Sequence, residues 1–231
     1  MTDGHRSGLP RVVAVGFNKC GTRSFAELFR RAGHPVIHHK VRDRWPVPRR
    51  IGQVMQANLA AGRKVFDGVE DATFLCDLIY STPEGTWDGA SAFREILRDY
   101  PDTILLLNLR DREQWIASRL NHGHGEFARR EMTARGLRRT EDLTAEWRAE
   151  WDAHLAAVRA FMADRPDQYI EFDLDRDRPE DLVARLPAYH LNPADFQDIG
   201  RTRGRRMSAA MKALKRFVAH NRPRLTRKDR P

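Results

Sequence analysis

RVVAVGFNKCGTRSFAELFRRAG, residues 11–33, decides the fold, because its hydrophobic period changes partway through. Arg11 to Phe17 is a short apolar, β-branched run of the kind that forms a buried parallel strand. Asn18 to Thr22 is a glycine-containing polar turn. Beyond it, Phe25, Leu28 and Phe29 recur on one helical face, and Gly33 supplies a C-terminal stop. The stretch therefore predicts strand, tight loop and helix in immediate succession.

The same pattern repeats further along the chain. Thr103 to Leu109 (TILLLNL) is the strongest strand signal in the chain and runs directly into a helix from Arg112 to about Leu120. Between the two units the sequence predicts strands at Pro35–His39 and Lys64–Asp67. It also predicts a helix from Pro48 to Ala61 and an amphipathic helix from Ser91 to Tyr100, ended by Pro101. A long helix from Glu141 to Asp164, a strand at Tyr169–Leu174 and a short helix from Pro179 to Leu186 follow. Strands alternating with helices imply an α/β fold of three layers, with a mainly parallel central sheet flanked by helices. Ligands of such sheets bind beyond the carboxyl ends of the strands.

Length and charge divide the chain. Of its 231 residues, 41% are hydrophobic and 32% charged, enough for one sizeable core under a polar surface. The formal charge of +9 is unevenly spread: residues 201–231 hold twelve Lys/Arg and one acid, whereas the preceding 200 hold 29 basic and 31 acidic side chains. This predicts an α/β domain over residues 1–200 and a basic, partly helical C-terminal extension over 201–231. The tail suits weak contact with anionic lipid, and no nucleic-acid partner is expected. Two cysteines form neither a disulfide framework nor a metal cluster, and MTDGHRSGLP lacks a secretory layout. A cytoplasmic location is the expectation.

Residues 16–24 place a turn before a helix N-terminus, where free backbone N–H groups and the helix dipole attract an anion. Lys19 adds a cation and Thr22 and Ser24 add hydroxyls. The nucleotide-triphosphatase pattern G-x-x-x-x-G-K-[ST] is absent, which disfavours ATP or GTP hydrolysis. This loop resembles the phosphosulfate-binding loop of sulfotransferases that use 3'-phosphoadenosine 5'-phosphosulfate (PAPS), where a strand precedes a Lys-x-Gly-Thr-x-Ser turn. The closest likeness is to bacterial sulfotransferase-domain proteins with an N-K-C-G-T loop. The resemblance implies a P-loop-type fold. It also implies that Lys19 meets the leaving-group oxygen and that Asn18, Cys20, Gly21, Thr22, Arg23 and Ser24 help hold the 5'-phosphosulfate.

A second signature strengthens the likeness. Arg110 ends a strand and Ser118 follows eight residues later. In the family that pair grips the 3'-phosphate, and a guanidinium suits bidentate phosphate binding. Proline often follows the family's Arg-Asp pair; here Arg112 stands there instead. The run Arg201–Arg206 resembles only loosely the family's late Arg-Lys-Gly segment, with Arg203 or Arg205 as contributors to the same phosphate. Adenosine 3',5'-bisphosphate would be the product, and no metal is expected.

The base that takes the acceptor's proton stays open between His38, at the end of the second strand, and Glu70, near the third. Asn121 to Arg139, with His122 and His124 in a glycine-containing run, lies where an acceptor flap belongs. Trp147, Trp151 and Phe161 at helical spacing read first as core. The implied activity is sulfuryl transfer to a hydroxyl or amine of a small-molecule, carbohydrate or lipid acceptor. The alternatives are an ATP-dependent kinase and a non-catalytic polyanion-binding module using the tail. Oligomeric state is not legible.

Overall fold

The computed structural model describes residues 8–42 and 44–197. Along the chain run β1 (Val12–Ala14), α1 (Thr22–Arg31), β2 (Val36–His38), β3 (Lys40–Val41), β4 (Arg49–Arg50), α2 (Ile51–Ala60) and β5 (Phe74–Cys76). Next come β6 (Ile79–Thr82), β7 (Gly85–Asp88), α3 (Phe93–Asp99), β8 (Ile104–Leu109), α4 (Arg112–Leu120) and α5 (Glu126–Ala134). The last elements are α6 (Thr140–Met162), β9 (Tyr169–Asp173) and α7 (Pro179–Ala184). Arg203, Arg205 and the rest of the basic extension lie outside the described residues.

Five strands are parallel, in the order β2-β5-β1-β8-β9, and β3 and β4 extend the β2 edge antiparallel. Side chains alternate across this sheet as strand geometry requires. Val13, Val15, Leu75, Leu105 and Leu107 pack beneath α2, α3, α4 and α6. Val12, Ala14, Phe74, Cys76, Leu106 and Phe172 pack beneath α1 and α7 through Phe25, Leu28, Phe29 and Leu182. The result is the expected three-layer α/β architecture. Among the described residues no helix is long and apolar enough to cross a membrane.

Two local expectations need correction. Lys64–Asp67 is not a strand but leads into turns, its backbone satisfied by side chains from α2 and α3 rather than by a ladder. Asn58 Nδ2 donates to the carbonyls of Val65 and Asp67, and the Val65 N–H donates to Asp99. The third parallel strand is instead Phe74–Cys76, pairing with β1 and β2. A β6–β7 hairpin, with Thr82 opposite Gly85, also went unforeseen.

The topology places the site. From β1 the chain crosses to β2 on one side, whereas from β8 it crosses to β9 on the other. Loops leaving adjacent strands in opposite directions open a crevice at their carboxyl ends.

Candidate functional site

Residues 15–21 leave β1 in a loop that is shaped by two left-handed backbone positions, Lys19 (φ 72°) and Gly21 (φ 72°). Gly21 meets that need without strain and precedes α1, whose first bonds run from Ser24 and Phe25 N–H to the Gly21 carbonyl. Among the described residues no acceptor meets the amides of residues 19–23. Those donors sit at a helix N-terminus, an arrangement that binds anions.

Three side chains from β8, α4 and the turn between them hold the loop in this shape. Asn108, fully buried within the apolar strand, accepts from Gly16 N–H (2.9 Å) and donates to the Cys20 carbonyl (2.7 Å), tying both ends of the loop. Trp115 Nε1 donates to the Asn18 carbonyl at 3.0 Å. Arg110 Nη1 donates to the Lys19 carbonyl at 3.2 Å, and its Nη2 reaches Gln114. The Arg110 Nε–H is buried without a partner. Asn108 and Trp115 were missed from sequence; the signal for Asn108 was a lone amide in an otherwise apolar strand. Asn108→Ala should orphan two buried backbone groups and cost about 2–5 kcal/mol in urea denaturation at unchanged m-value. A loss below about 1 kcal/mol would show that the loop holds its shape without that tie.

Opposite Lys19 stands a cluster built at the ends of β2 and β5. His38 Nε2 lies 3.3 Å from Thr22 Oγ1 and 3.6 Å from Asp77 Oδ2, and His39 Nδ1 lies 3.7 Å from the same oxygen. Asp77 immediately follows β5 with φ 57°, a strained backbone for a residue other than glycine. Its Oδ1 is buried with no partner. Burial, then the charge of Asp88, raises the Asp77 carboxyl to about 6, against the pull of Lys19 and Arg50. Burial lowers His38 to about 4, reinforced by Arg30, His39 and Arg23. Lys19 is lowered chiefly by burial, while Asp77 draws it the other way and Arg110 and Arg23 add to the lowering. Burial thus disfavours the charged form of both groups, leaving His38 neutral near pH 7 beside a carboxyl that holds its proton to a higher pH than usual.

The expected site residues fall into three groups. Asn18, Lys19, Cys20, Gly21, Thr22, Arg23 and Ser24 share the loop and the first turn of α1, and His38 and Arg110 both touch that segment. Cys20 is fully buried, with its thiol pushed up by burial, and Ser118 is half-buried along α4. Glu70 does not join them: its carbonyl accepts from Arg11, which precedes β1, so it stands at the amino end of the sheet. The misplaced third strand had put it at the wrong end and hidden Asp77. Trp147 and Trp151 are core, packed around Trp115. His122 lies near enough to Lys19 and Arg119 for both, after burial, to lower its basicity.

A family model described as a sulfotransferase domain matches residues 11–168. The match runs from the residue before β1 to the residue before β9, and so includes the loop, the His38–Asp77 cluster and the Arg110 strand end. A comparison with curated proteins finds no match.

Proposed function

This chain belongs to the sulfotransferase-domain family, and from that membership we propose that it transfers a sulfuryl group from PAPS to a hydroxyl or amine of its acceptor. The observation that carries the choice of donor is the pairing of two anion sites across adjacent strands. The uncommitted amides after β1 suit the 5'-phosphosulfate. Arg110, at the end of β8, bridges to the Lys19 carbonyl yet keeps a buried Nε–H without a partner, which suits a phosphate oxygen. When bound, the donor supplies an electrophilic sulfuryl group on a phosphate leaving group.

The chain's own residues then have separable tasks. Lys19 and the amides of residues 19–23 stabilise negative charge on the leaving phosphate. Arg110 and Ser118 anchor the 3'-phosphate. Asp77, rather than His38 or Glu70, takes the acceptor's proton: its raised carboxyl lies close to operating pH and its Oδ1 is uncommitted. His38 is a positioning residue that links Thr22 to Asp77. The acceptor is a small molecule, and a carbohydrate or lipid headgroup would meet the same chemistry.

Calorimetric titration of the full chain with adenosine 3',5'-bisphosphate, beside Mg-ATP, tests the donor. We expect metal-independent binding that Arg110→Ala weakens about 10- to 150-fold, the worth of a charged hydrogen bond. A preference for Mg-ATP, or an Arg110→Ala variant that binds as well as the parent, would overturn the reading.

A further inference from the structure

Behind the donor loop lies a cavity of about 430 Å³, within the range of small-molecule sites. Phe17 forms one wall, so the cavity and the loop share the residue just before Asn18-Lys19. The remaining walls come from β7, α3, α4, α5 and α6 and include Asp88, Phe93, Arg119, Glu150 and His154.

Arg119 is the unusual feature. It is 3% exposed, and its Nε and Nη1 have no hydrogen-bond partner. Its guanidinium makes no ion pair among the described residues. It lies instead within an aromatic cage of Trp147 (4.6 Å), Trp115 (4.8 Å), Phe127 (4.9 Å) and Phe17 (5.9 Å). Cation–π contacts offset part of the desolvation, but a buried charge with unused donors still favours an anionic partner.

The nearby acids divide unequally. Glu131 and Glu150 are both held by Arg135, and Glu131 also accepts from Thr86. Asp88 is different. Its Oδ1 caps the following turn at the Ala90 N–H, whereas its Oδ2 is buried without a partner. His154 Nε2 is committed to the Val15 carbonyl at 2.7 Å. One wall of the cavity therefore carries the Arg119 guanidinium and another the Asp88 carboxylate, neither with its hydrogen-bonding capacity filled, and the aromatic rings of Phe17 and Phe93 supply apolar surface.

We propose that this cavity binds the acceptor as a small zwitterion with an apolar or aromatic body, its carboxylate on Arg119 and its ammonium on Asp88. The acceptor role rests on the sulfotransferase reading above; the binding chemistry does not. Arg119 and Asp88 lie within each other's field, but neither has a hydrogen-bonding counter-ion, so a zwitterion satisfies both where an uncharged ligand would leave them as they are.

The test uses L-tyrosine as probe, with tyramine, which lacks the carboxylate, and 3-(4-hydroxyphenyl)propionate, which lacks the amine. Calorimetry on the full chain, run with and without adenosine 3',5'-bisphosphate, should show L-tyrosine binding about tenfold or more tighter than either analogue. Arg119→Met should weaken L-tyrosine at least about tenfold and leave tyramine nearly unchanged, with Asp88→Asn showing the complementary pattern against the propionate. Because Arg119 also fills the aromatic cage, Asp88→Asn carries the test if Arg119→Met does not fold. L-tyrosine binding no tighter than both analogues, or not at all, overturns the proposal. Bisphosphate binding without L-tyrosine binding removes this inference alone. L-tyrosine binding without bisphosphate affinity keeps the cavity and removes the donor assignment.

Discussion

Lys19→Met is expected to lower the rate of sulfuryl transfer by about a thousandfold at saturating donor. Methionine preserves the length and apolar stem of the side chain while deleting its charge, so the loop should keep its shape. That shape is secured elsewhere: by Asn108 at both ends, by Trp115 on the Asn18 carbonyl and by Arg110 on the Lys19 carbonyl itself. Those contacts also explain how Lys19 is held at φ 72°, a conformation that costs about 1 kcal/mol or more for a residue with a side chain. The lost interaction is strongest when charge accumulates on the leaving phosphate, so the effect belongs in kcat more than in bisphosphate affinity. Single-turnover assays beside calorimetry would separate the two. A Lys19→Met enzyme with the parent's rate would end the leaving-group assignment.

Asp77→Asn should lower turnover by about 10²- to 10⁴-fold, the usual reach of a general base. Its pH signature is more telling than its size. With the carboxyl raised to about 6, the ionised base accumulates as pH climbs through that value. The parent's kcat/KM should therefore rise with pH and level off above about 7, and the variant should lose this limb. Stability moves the other way. The folded carboxyl sits above its ordinary value of 3.8, so Asp77 favours the fold below that value and loses this benefit as pH rises through about 6. Removing a buried, strained and half-unpartnered carboxylate should raise the melting temperature at pH 8 while activity falls. A purely structural Asp77 would show no such opposition. Glu70→Gln, at the far end of the sheet, should change neither quantity, whereas persistence of the pH limb in Asp77→Asn would end the assignment of the base to Asp77.

The fold was legible because it depends on periods that the chain carries locally. Residues 11–33 change from a β-branched apolar run to a helical repeat across a glycine turn, and residues 103–120 do the same. Each unit appears in the structure as strand, loop and helix. The loop after β1 was legible for the same reason: its free amides lie in contiguous backbone, and Gly21 marks a position that needs a left-handed glycine beside the helix start. The β6–β7 hairpin and the third strand were less visible. Phe74–Cys76 is only three residues long, too short to show a period, whereas Lys64–Asp67 looked apolar enough but had its backbone satisfied by Asn58 and Asp99.

What the chain order could determine by itself was therefore the α/β class, the glycine-containing loop between the first strand and helix, and the arginine just after Thr103–Leu109. What only the tertiary structure decided was which residues meet around them. Asn108 reaches back 92 positions to Gly16, and Trp115 reaches back 97 to Asn18. Asp77 becomes the neighbour of His38 because β5 inserts between β1 and β2. Arg119 and Asp88 face one cavity because α4 and the hairpin pack on the same side of the sheet. Local periodicity is written in adjacent residues, but strand order is not. A buried charge acquires its function from the partners that strand order brings to it, and from those it leaves absent.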